Sequence, residues 1–163
     1  MKLETFEDLI AHQVKDLYSA EKQFAAAQPA MAEIATDPDL RDALETHVET
    51  THLQIERLKT IAGELGVATG GVTCAAAKGL VEEGMELLET DGDPAVLDAA
   101  LIAAAQRIEH YEIAGYGTLR ALARRLGRTK AVRLIDETLA EERGADVLLT
   151  ELAESSVNRE AAS

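Results

Sequence analysis

The chain has 163 residues, enough for one domain with a sizeable core, and its 47% hydrophobic content rests on 29 alanines, with only 3% aromatic residues. A net charge of −14 repels phosphate and excludes nucleic-acid binding through a basic surface. The lone cysteine, Cys74, leaves no intrachain disulfide, and the acidic start MKLETFEDLI lacks the pattern of a signal peptide. With no apolar run of membrane-spanning length, a cytoplasmic protein is expected.

The 3.6-residue period dominates throughout. A first long helix is expected from Thr5 to about Ala35, bent at Pro29, where a backbone hydrogen bond is lost. Asp37-Pro38 reads as an N-cap followed by proline at the first helical position, so a second helix should run to Leu65 and stop at Gly66. Val67–Thr73, with Gly70 and Gly71, reads as a loop, and a short helix should follow from about Cys74 to Glu89. Asp93-Pro94 repeats the entry signal for a third long helix, from Pro94 to Leu126, closed by Gly127. Within it, Gly115 and Gly117 flank Tyr116 and read either as a close helix contact or as a π-bulge. Thr129 opens a fourth helix that should fade near Glu154, leaving a single domain over residues 1–155 and a frayed tail over 156–163. The cations Arg120, Arg124, Arg125, Arg128, Lys130 and Arg133 read as charge compensation around the intervening turn. The fold class is therefore all-α: two helical hairpins joined by a long crossover with a short fifth helix, the ferritin-like four-helix bundle.

Acids interrupt the apolar stripes of these helices. Glu21 falls in the middle of Ile10, Val14, Leu17, Phe24, Gln28 and Met31. Glu112 interrupts Leu101, Ala105, Ile108 and Leu119, with Glu109 one turn earlier. Glu142 and Asp146 interrupt Ile135, Leu139 and Leu149, and the second helix carries Glu49-x-x-His52. A buried carboxylate without a partner is costly, so acids recurring on four stripes suggest a shared cation.

Their levels agree. Counted from the turn at Asp37, Glu21 lies 16 residues before and His52 15 after, within about 2 Å in height at ~1.5 Å per residue. Counted from Arg128, Glu112 lies 16 residues before and Glu142 14 after. Carboxylates from facing helices, together with a Glu-x-x-His pair, are the ligands of di-iron and di-manganese proteins. So many oxygen donors favour iron or manganese over copper. Tyr18 and Tyr116, a turn from Glu21 and Glu112, read either as core aromatics or as hydrogen-bond donors to those carboxylates. His47 and His110 lie beside the ligand faces but rotated away, and Ala145 stands where a second Glu-x-x-His would put histidine.

The segments 16–23 (DLYSAEKQ), 99–117 (AALIAAAQRIEHYEIAGYG), 137–142 (ETLAEE) and 74–84 (CAAAKGLVEEG) resemble the YciF-like family of bacterial and archaeal ferritin-like proteins over nearly the whole chain. The resemblance implies a rubrerythrin-like bundle, a dimetal site, a homodimer and a link to stress responses. By motif it assigns metal ligation to Glu21, Glu49, His52, Glu109, Glu112 and Glu142, with Asp146 where rubrerythrins have histidine. It implies two iron or manganese ions per chain. The four cysteines of a rubredoxin site are missing, so electrons for a peroxidase cycle would come from an external donor.

Three functions follow. The first is a di-iron or di-manganese oxidoreductase of peroxidase, catalase or ferroxidase type, acting on peroxide, dioxygen or ferrous iron in oxidative or general stress. The second is a stress protein that holds metal without turnover. The third is a structural module with vestigial carboxylates. No nucleic-acid or membrane partner is expected.

Overall fold

Capping chemistry sets the helix boundaries in the computed structural model, which describes residues 3–163; the Met1 and Lys2 of the acidic start lie outside the described residues. The first helix, α1 (Phe6–Ile34), opens with a capping box: Asp8 N–H donates to the Thr5 hydroxyl, and Thr5 N–H donates to the Asp8 carboxylate. Helix α2 (Pro38–Leu65) follows Asp37, whose carboxylate accepts from Asp39 and Leu40 N–H. Helix α4 (Pro94–Arg125) repeats the device, with Asp93 accepting from Ala95 and Val96. Gly66 and Gly127 close α2 and α4 at φ 72° and 65°, in the left-handed region that only glycine enters without steric cost. Helix α5 runs over Thr129–Leu152.

One expectation about backbone regularity is corrected, and one pair of alternatives is resolved in favour of close helix contact. The tail does not fray from residue 156: α5 passes through a π turn, Ala153–Val157, into α6 (Asn158–Ala161). Val157 is buried there in the core with Leu149 and Leu101, which rewards continued helix. Helix α4 contains no π-bulge at Gly115. The glycine instead permits close packing, since a Cβ there would lie 2.6 Å from Leu17 Cδ2. Helix α1 continues through Pro29.

Packing of α1 on α2, α2 on α5, α5 on α4 and α4 on α1 makes a four-helix bundle, with α3 (Ala75–Glu86) of the crossover laid against α1 and α4. Buried polar groups lock the connections. Asp98 on α4, 2% exposed, accepts from Thr36 N–H, the Thr36 hydroxyl and Asp37 N–H, which fixes the α1–α2 turn. Cys74 caps α3; its thiol lies 2.9 Å from the Tyr111 hydroxyl and 3.3 Å from Asp16, and Tyr111 donates to Asp16. Burial and these partners hold the Tyr111 phenol far above its ordinary pKa, so it stays protonated and the set works as a structural clasp.

The core has two apolar clusters. One gathers Phe24, Met31, Leu40, Leu101, Ile108 and Leu149, the other Val14, Leu17, Leu58, Ile61, Leu119 and Ile135. Buried polar residues of every long helix fall between them, Glu21 on α1, His47, Thr51 and Gln54 on α2, Glu109 and Glu112 on α4 and Glu142 on α5, so the bundle has a polar waist. No helix among the described residues is long and apolar enough to cross a membrane.

Candidate metal centre

Four helices supply the waist. From α1 comes Glu21, from α4 Glu109 and Glu112, from α5 Glu142, and all four are 2% exposed or less. From α2 come His47, Thr51 and Gln54, also buried. One donor atom each from His47, Glu109, Glu112 and Glu142 can be chosen so that all lie within 4.8 Å of one another. His47 Nε2 stands 3.3 Å from Glu109 Oε1 and 3.9 Å from Glu142 Oε2.

This crowding is unfavourable without a cation. Burial pushes the Glu21 carboxyl up to about 8, against the hydrogen bond from Tyr116, and the Glu142 charge adds to the rise. Burial likewise raises Glu109 and Glu112 well above the carboxylate range, helped by their nearness to Glu142. Burial lowers the His47 imidazole below its ordinary value, so it is neutral and its Nε2 can offer a lone pair. Six buried atoms of the set have no hydrogen-bond partner: Glu21 Oε2, His47 Nε2, Glu109 Oε2, both Glu112 oxygens and Glu142 Oε2. Native proteins rarely leave such atoms unpaired, and four of these five residues bring donor atoms together. The cluster thus has the donors to hold a metal ion.

Surrounding groups orient the ligands. The Tyr116 hydroxyl, fully buried, donates to Glu21 Oε1. Gln54 Nε2 donates to Glu142 Oε1 and, at 3.0 Å, to Glu141. Arg57 grips Glu141 with two nitrogens at 2.6 and 2.7 Å and donates to the Thr138 hydroxyl, tying α2 to α5. Burial tends to raise Glu141, but the hydrogen bonds from Arg57 and Gln54 outweigh it and leave the carboxyl below its ordinary value. Glu141 is therefore a charged anchor beside the cluster. Thr51 donates to Gln28 Oε1 at 3.0 Å.

The second helix departs from expectation. Glu49 and His52 are exposed and do not join the cluster. At 3.6 residues per turn they lie on the side of α2 opposite His47, Thr51 and Gln54. Residues 51 and 54 hold the inward Glu-x-x-His spacing, but as threonine and glutamine. His47, which the sequence reading rotates away, faces the centre. A signal for this exists in the sequence: Leu40 and Leu44, continued by steps of three and four to Leu58 and Ile61, pass through 47, 51 and 54. Asp146 is half-buried outside the four-residue set; it accepts from Gln106 at 2.9 Å and lies 3.3 Å from exposed His110. Tyr18 is half-buried, with Lys22 Nζ 5.9 Å from its ring centre, and has no bond to Glu21.

A family model described as "Domain of unknown function (DUF892)" matches residues 5–162. The chain is 45% identical to protein YciF of Escherichia coli (strain K12) over 162 residues, 99% of this chain and 98% of that protein. Its fold matches the crystal structure of the E. coli stress protein YciF with a TM-score of 0.92 and 44% identity, covering 96% of this chain and 99% of that one. It also matches YcfI of Rhodopseudomonas palustris, provisionally described as a structural protein, with a TM-score of 0.87 and 45% identity, covering 91% and 95%. A protein from Xanthomonas campestris at 23% identity and a TM-score of 0.76, covering 95% of each chain, shares the fold. The resemblance to the YciF-like family read from the sequence holds.

Proposed function

From the premise that the chain belongs to the DUF892 family of YciF, we propose that it is a carboxylate-metal redox protein of the stress response, holding two iron or manganese ions. The observation that carries this reading is a waist with six buried oxygen and nitrogen atoms that lack hydrogen-bond partners, where His47, Glu109, Glu112 and Glu142 bring donor atoms within 4.8 Å of one another. His47, Glu109, Glu112 and Glu142 would hold one ion. Glu21, whose charge interacts with those of Glu112 and Glu142, would help to hold the second. Such a pair supplies Lewis acidity and one-electron chemistry suited to peroxide, dioxygen or ferrous iron.

The chain's own residues shape that site. The Tyr116 hydroxyl holds Glu21 in one rotamer, and the Gln54 amide does the same for Glu142. The two apolar clusters on either side exclude bulk water from both ends. With a single cysteine, electrons would come from an external donor. A cytoplasmic homodimer is part of the same reading.

The test is elemental analysis of protein purified without chelators, beside Glu112→Gln. About two iron or manganese ions per chain are expected, lost in the variant, together with loss of hydrogen peroxide consumption or ferrous oxidation. A chain that takes up no metal after anaerobic loading would overturn the reading.

One observation favours a second reading, metal holding without turnover. Helix α2 brings Thr51 and Gln54 to the waist in place of a carboxylate and an imidazole, and Gln54 already occupies one Glu142 oxygen. This predicts stoichiometric metal with no peroxide loss and no ferrous oxidation in the loaded protein.

A further inference from the structure

The waist is not sealed. A cavity of about 550 Å³ opens between α2 and α5 and reaches His47 and Glu109. That volume lies within the range of small-molecule pockets, about 300–1,000 Å³. It exists because the helix seam is built from small residues there, Ala43, Thr46 and Thr50 on α2 facing Gly144 and Ala145 on α5. Its walls are mostly apolar, with Leu44, Leu148, Leu149 and Leu152 among the lining residues. The inner end is polar and buried, and Glu109 Oε2 and His47 Nε2 there have no hydrogen-bond partner. The exposed acids Asp39 and Asp42 also line it, so its outer part is negative.

Hydrogen peroxide has no apolar surface to bury and gains nothing from leucine walls. The walls suit an alkyl chain. The acidic outer part and the −14 net charge disfavour an anionic head such as a carboxylate. We infer that this cavity binds the alkyl chain of a neutral organic hydroperoxide, with the O–O head at the His47–Glu109 end. The inference rests on the redox reading and names its substrate class. The O–O bond breaks and each oxygen takes one proton, giving an alcohol and water. Two ferrous ions from solution supply the two electrons and become ferric.

The test uses the metal-loaded full chain and two probes. n-Octanol, the product alcohol, is titrated while the methyl resonances of Leu44, Leu148 and Leu149 are followed. n-Octyl hydroperoxide and hydrogen peroxide are then compared as substrates with ferrous ions as donor. Ala43→Phe, which fills the seam from α2 one turn before His47, should abolish the methyl shifts and raise KM for n-octyl hydroperoxide by about tenfold or more. Its metal content and hydrogen peroxide turnover should be unchanged. Leu148→Asn, at a site already 43% exposed and so tolerant of polarity, should weaken n-octanol binding several-fold without threatening the fold. Absence of methyl shifts with wild-type protein, or equal KM for n-octyl hydroperoxide in wild type and Ala43→Phe, would overturn the inference while hydrogen peroxide turnover left the redox reading standing. Octanol binding with no turnover of either peroxide would instead mark failure of the redox reading, and the hydroperoxide assignment would fall with it.

Discussion

Helices α4 and α2 carry similar motifs to opposite fates. On α4, Glu109 and Glu112 are three residues apart and both enter the waist, at 2% and 0% exposure. On α2, Glu49 and His52 have the same spacing and both face solvent. The difference lies in the flanking residues. Leu101, Ile108 and Leu119 set a buried face on α4 that passes through Glu112, with Glu109 at its edge. The buried face of α2, set by Leu40, Leu44, Leu58 and Ile61, passes through His47, Thr51 and Gln54. Spacing makes two side chains neighbours on a helix, but only the apolar register says which way they point.

Breaking the α4 side should have the largest effect. Glu112→Gln is expected to lose the metal and, in the apo state at pH 8, to be more stable than wild type by about 1–3 kcal/mol, because a buried carboxyl with no partner is removed. Calorimetry with and without metal checks both. Next comes pH. Glu21 sits at about 8 in the fold against 4.5 unfolded, and Glu109 and Glu112 move the same way, so the folded protein holds protons that the unfolded chain releases. Apo stability should therefore fall as pH rises from about 4.5 to about 8. Metal affinity should climb over the same window, since ligation requires loss of those protons. His47 acts in the other direction: its lowered folded value removes stability as pH falls below 6.5. Urea titrations across pH, with and without manganese, read these slopes.

A smaller effect is expected at Tyr116→Phe, which strips from Glu21 its only side-chain hydrogen bond among the described residues. A loss of about 1–3 kcal/mol follows from the unpaired oxygen, and the Glu21 carboxyl should titrate higher still. Glu49→Ala with His52→Ala sharpens the comparison from the α2 side. Metal content should not change and stability should stay within about 0.5 kcal/mol. Loss of metal in this pair would mean that α2 rotates in the loaded protein.

Most of the frame was legible because it is local. Thr5, Asp37 and Asp93 satisfy amides within a few residues of themselves, and Gly66 and Gly127 close their helices through their own dihedral angles. The inward course of Glu21, Glu112 and Glu142 was legible too, because long apolar stripes on α1, α4 and α5 leave them one side to face. Less legible was the end of the chain, where Val157 finds a place in the core that no local pattern announces.

By itself, then, the sequence determined the four long helices and the short crossover helix, the aspartate starts and glycine stops, and the inward course of Glu21, Glu112 and Glu142, since these depend on neighbours within a turn or two. The tertiary structure decided the contribution of α2 to the waist and the opening beside it. Both faces of α2 carry histidine and polar residues, so propensity does not separate them. The stripe of Leu40, Leu44, Leu58 and Ile61 offers one rotation, and its fit against the other helices, with Arg57 and Gln54 reaching across to Glu141, locks that rotation in. The cavity has the same origin: small residues on α2 meet small residues on α5, and that meeting exists only once the helices pack.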